Sequence, residues 1–124
     1  MAVIILASLV YAKFQGNSNV DAMNTSPARV TEAITVGATD INDNRAYYSN
    51  YGSVLDVFAP GSDVTSTWID GGYQVLSGTS MATPNVAGVV AYFLNIYGRN
   101  TNPAAMRNLI VNSSTQNKLS NIRE

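Results

Sequence analysis

Cysteine and histidine are both absent from the 124 residues, and charge is scarce: 12% of positions, seven Lys and Arg against eight Asp and Glu, for a net charge of −1. Each absence excludes something. Without Cys there is no disulfide framework, no thiolate zinc site and no cysteine nucleophile. Without His, acid–base chemistry that normally rests on imidazole must use another group or be supplied from outside the chain. Seven scattered cations cannot neutralise a phosphate backbone, which excludes a nucleic-acid partner. Hydrophobic residues make up 46% of the sequence, so it is not a disordered chain, which needs low hydrophobicity and high net charge. The length fits one small domain or a piece of a larger one.

Long hydrophobic runs are also missing. The N-terminal MAVIILASLVYAKF holds an apolar stretch of about a dozen residues, whereas a bilayer span needs ~20, so no membrane anchor is expected. Val10-Tyr11-Ala12 has the form of a signal-cleavage site, yet no Lys or Arg precedes the apolar stretch. A buried parallel strand is the favoured reading, and by length alone a short buried helix stays open.

Beyond residue 15 the chain is punctuated by turn residues. Gly16 to Arg29 is small and polar and reads as a surface loop. Strands are expected at Ala33 to Ala38 and at Ser53 to Ala59, the second closed by Pro60-Gly61, with Asp40 to Arg45 as a turn between them. Val64 to Ile69 and Tyr73 to Leu76 flank Asp70-Gly71-Gly72 and form a hairpin signal. From Thr83 to Tyr97 the sequence is helical, with Pro84 expected in the first turn and Val86 to Leu94 apolar on every face, which predicts burial on all sides. Gly98 stops this helix, and Asn102-Pro103 opens another over Ala104 to Val111 as cap and first-turn proline.

The residues ahead of the first helix carry the chemistry. Small side chains crowd Leu76 to Pro84, where the unpaired N–H groups and macrodipole of a helix N-terminus stabilise negative charge. Ser80 is thereby placed as a nucleophile whose own N–H helps to hold an oxyanion. Taken alone, Thr79 or Ser80 would equally serve as an N-cap.

The string Gly78 to Gly88, GTSMATPNVAG, closely resembles the serine motif of the subtilisin-like proteases, Gly-Thr-Ser-Met-Ala-Xaa-Pro-His-Val-Ala-Gly, departing from it only at Asn85. Upstream, Ser26 to Trp68 is similar to the fungal, proteinase K-like branch nearly throughout. The resemblance implies an α/β fold of three layers, a parallel sheet flanked by helices, present here as an incomplete C-terminal half. It divides the chain into an atypical apolar segment, residues 1–15, and peptidase sequence over 16–124.

Carried over by motif, Ser80 is the nucleophile and Asn17, in Gly16-Asn17, the side-chain donor of the oxyanion hole. The family's catalytic Asp and His lie on motifs with no counterpart in this chain. The resemblance further implies an extracellular serine endopeptidase acting on protein or peptide, with no cofactor needed for chemistry and with the missing N-terminal half as partner. A structural calcium would use the Thr31 and Ala33 carbonyls and the Asp56 carboxylate, oxygen ligands that suit a hard cation. Phe14-Gln15 stand where the family has Ala-Ala, which lets a Phe fill the specificity pocket; Tyr48 to Gly52 resembles a structural loop; and Asn85 in place of the motif's His is expected to lower stability. The alternative function is an inactive fragment, or a binding or complementation module.

Overall fold

The computed structural model describes residues 12–27, 33–98 and 101–123. The apolar run expected to form a strand lies outside them up to residue 11, and its end forms β1, Ala12–Phe14. The second expected strand is β2, Ile34–Thr39, whose six residues are all buried. The third, β3, spans Val57–Pro60 and starts four residues later than the pattern suggests. The delay has a local cause: Gly52 sits at φ 112° and its carbonyl accepts the Leu55 N–H, so the chain is still turning.

These strands make a parallel sheet in the order β1-β2-β3, with Ala12 paired to Ile34 and Val36 to Val57. Continuous burial of β2 is what a central parallel strand requires. Strands β4, Val64–Thr67, and β5, Tyr73–Leu76, form the antiparallel hairpin that the sequence signalled, with Trp68 N–H bonded to the Gly72 carbonyl at 2.9 Å.

Helix α1, Thr79–Tyr97, crosses the sheet, and α2, Pro103–Ser113, packs against it. The cap of α2 is as expected: Asn102 Oδ1 accepts the Ala105 N–H at 2.8 Å and Pro103 begins the helix. Ile34, Val36, Ala38, Ala82, Val86, Val90, Met106 and Ile110 form one core between sheet and helices. At the upper end of that core the chain leaves β3 through Gly61, where a Cβ would come within 2.6 Å of the Ala38 Cβ and 2.8 Å of the Gly78 carbonyl oxygen. Only glycine permits that approach, and it brings the start of α1 onto the carboxyl ends of the strands.

Two expectations for α1 are corrected. The helix begins at Thr79, so Pro84 is its sixth residue and not in its first turn. Proline's fixed φ is helical, and the missing N–H deprives only the Ser80 carbonyl of its partner. Nor is the helix buried on all sides: Ala82, Thr83, Val86, Ala87 and Val90 face the core, while Val89, Tyr92 and Ile96 are exposed, Tyr92 at 62% and Ile96 at 51%. The second apolar stripe has nothing over it among the described residues.

Candidate active site

Gly78, the N-cap of α1, has no side chain with which to bond the exposed N–H groups of the first turn. A residue far away in sequence does this instead. Asn17 Oδ1 accepts from the Thr79 N–H at 2.9 Å and from the Thr79 hydroxyl at 2.8 Å. Because a backbone N–H can only donate, the orientation of the Asn17 carboxamide is fixed: oxygen toward Thr79, nitrogen away from it. Its Nδ2 lies 3.2 Å from where a Cβ on Gly78 would be, so the bare glycine leaves room for the amide beside the residues that lead into Ser80.

Ser80 is the second residue of α1 and is exposed. Its N–H falls where a helix offers no partner, and its hydroxyl makes no hydrogen bond among the described residues. Two donor groups, the Asn17 Nδ2 and the Ser80 N–H, thus lie beside one point, 3.2 and 3.8 Å from where a Cβ on Gly78 would be. Neither Ser80 nor Asn17 lines the cavity of about 720 Å³ on the outer side of β3, which is bounded by Asp56, Phe58 and residues 113–119.

The loop that carries Asn17 is held by a residue to which the sequence assigned no chemistry. Asn50 is buried; its Oδ1 accepts the Ser18 and Val20 N–H groups at 3.0 and 3.2 Å, and its Nδ2 donates to the Gln15 carbonyl at 2.7 Å. The Asn50 N–H also bonds the Gly16 carbonyl at 3.1 Å. Gln15 is fully buried beneath it, donating to Ser49 Oγ and the Asn50 carbonyl, with its Oε1 unpartnered among the described residues. Phe14 is 46% exposed at the end of β1, two residues before Gly16. Asn85 donates from Nδ2 to the Pro60 carbonyl at 3.0 Å and the Met81 carbonyl at 3.2 Å, tying α1 to the end of β3.

Of the residues named for calcium, Thr31 lies outside the described ones and Ala33 is half-buried in a bend. The side chain of Asp56 is 5% exposed; its Oδ2 accepts the Thr35 N–H at 2.7 Å, while Oδ1 accepts Arg107 Nε at 2.6 Å and is ion-paired with Arg107 Nη2.

A parallel α/β sheet with a helix starting over its carboxyl ends places this chain in the class of α/β folds in which helix N–H groups face the crevice beyond the strands. Within that class the assignment is specific. The chain belongs to the subtilase family, whose model matches residues 9–123. It is 52% identical over 94% of its length to proteinase R of Parengyodontium album and 48% identical over 98% to the cuticle-degrading protease of Metarhizium anisopliae. To alkaline serine exoprotease A of Vibrio alginolyticus it is 51% identical over 87%. It covers 30%, 31% and 20% of those relatives respectively, so the chain spans a third or less of their length. The crystal structure of a cold adapted subtilisin-like serine proteinase superposes with a TM-score of 0.84 at 50% identity, over 87% of this chain and 39% of that one. The subtilisin-like fold is therefore present in part.

Proposed function

We propose that the chain contributes the nucleophile and oxyanion side of a subtilisin-like serine endopeptidase, an extracellular enzyme acting on protein or peptide. Ser80 attacks the carbonyl carbon, and its N–H and Asn17 Nδ2 receive the negative charge that forms on the oxygen. The observation that supports the reading is the pair of bonds from Thr79 to Asn17 Oδ1, which leaves the amide nitrogen uncommitted beside Gly78, where the Ser80 N–H also lies. Loss of one such donor lowers turnover by ~10²–10³ in comparable sites.

The chain has no His, so the base that takes the Ser80 proton comes from elsewhere. Its carrier is the part of the subtilase fold that holds the family's Asp and His, and the exposed stripe of α1 is a surface it would cover. No cofactor is required for this chemistry. The chain alone should neither cleave a chromogenic peptide nor react with a fluorophosphonate, which labels only an activated serine. Addition of an N-terminal subtilase piece carrying Asp and His should produce labelling that Ser80→Ala abolishes. Ser80-dependent labelling of the chain alone would overturn the need for an outside base. Absence of labelling despite demonstrated association of the two pieces would favour the second reading, a non-catalytic binding module.

A further inference from the structure

We infer that Arg107 supplies, from within the chain, the positive charge that Asp56 would otherwise take from a divalent cation, and so docks α2 on the sheet without metal. The inference is independent of any chemistry at Ser80. Its starting point is the burial of Asp56: a carboxylate with its side chain 5% exposed has lost most of its water and must be compensated by donors. Three are in place, the Thr35 N–H on β2 at 2.7 Å, Arg107 Nε at 2.6 Å and Arg107 Nη2.

Arg107 is well suited to this place. Its neighbours Met106 and Ile110 on α2 are buried in the core, which sets the rotation of the helix and sends the residue between them to the sheet's margin. Its guanidinium is always charged, carries its donors in a rigid fork and gives up hydration more readily than an ammonium. Asp56 is fixed from the other side as well, its own N–H bonding the Thr35 carbonyl at 3.0 Å. One carboxylate thus links β2, the entry to β3 and α2. Calcium demands six to eight oxygen ligands, and a second cation on this carboxylate would face the guanidinium at close range. The carbonyl at position 33 remains, but the charged ligand is committed.

Thermal unfolding of the full chain, followed by circular dichroism in excess calcium chloride and in EDTA, tests this. The wild-type midpoint should be the same in both. Arg107→Gln should lower it by ~5 °C or more, since it leaves the buried Asp56 carboxylate without its partner, and Asp56→Asn should lower it by less, since Arg107, 47% exposed, turns to water. The double variant should fall little further than the single ones, because both remove the same interaction. A wild-type midpoint that calcium raises, with the gain abolished in Asp56→Asn, would overturn the inference. So would additive losses in the double variant. Should the variants fail to fold, the Arg107 Nε–H resonance of the wild-type chain decides: calcium leaves it unmoved if the pair is permanent and displaces it if the site belongs to the metal.

Discussion

The proposed function gives the two ends of the Asn17 carboxamide separate purposes. The oxygen completes the start of α1, and in the proposed function the nitrogen is the oxyanion donor. Substitutions can separate them. Asn17→Ala should destabilise the fold by about 1 kcal/mol through loss of the cap and, in the assembled enzyme, reduce turnover by ~10²–10³. Asn17→Asp should keep the melting midpoint, because a carboxylate still accepts from Thr79 and suits the positive end of the helix, yet abolish turnover by setting negative charge against the developing oxyanion. Melting curves and single-substrate kinetics on the same samples distinguish the two; equal loss of stability in both variants would refute the division. The contact of the Asn17 loop with the start of α1 is foreshadowed by the motif, which names Ser80 and Asn17 together. Asn50 and Arg107 are not, because their partners lie 30–35 and 51 residues away and no local pattern encodes such distances.

Among the elements, those fixed by short-range chemistry are readable. Asn102-Pro103 announces α2, and Asp70-Gly71-Gly72 announces the β4–β5 hairpin. Helix α1 starts earlier than its local pattern predicts because its cap comes from Asn17 and not from a neighbour. Its all-round apolarity describes the burial expected in a complete fold, whereas the described residues cover one face only. Substituting Tyr92 and Ile96 by Lys and Glu should therefore leave the chain's stability nearly unchanged and reduce its self-association, as measured by sedimentation velocity. A large fall in melting temperature would instead mean that the outer stripe is packed. The turn after β2 offers a pH test. Asp40 accepts the Asn42 and Asn44 N–H groups at 2.9 and 3.0 Å, and these bonds hold its pKa below the ordinary carboxylate value. A depressed folded-state pKa means that the turn's support is complete above the unfolded-state value and is lost as pH falls through the lower, folded one. Amide shifts of Asn42 and Asn44 should report that transition on the acidic side of ordinary carboxylate titration; a midpoint above it would contradict the assignment.

For the molecule as a whole, the parallel sheet has three strands among the described residues, and α1 is covered on one side, so apolar surface that a complete subtilisin-like fold would bury stands open. The bond between Thr79 and Asn17 then acquires a kinetic meaning. It joins residues 62 positions apart and so closes a long loop, which contacts of short range must precede. The Thr79 amide should accordingly exchange with solvent only through large-scale opening, and lose its protection in Asn17→Ala while the core amides of β2 retain theirs. Protection that persists in the variant would show the amide to be shielded by something else. If it is lost, the arrangement around Ser80 is among the last things this chain makes and among the first it gives up, so that a partly folded copy has a serine but no place to put the charge of an attacked peptide.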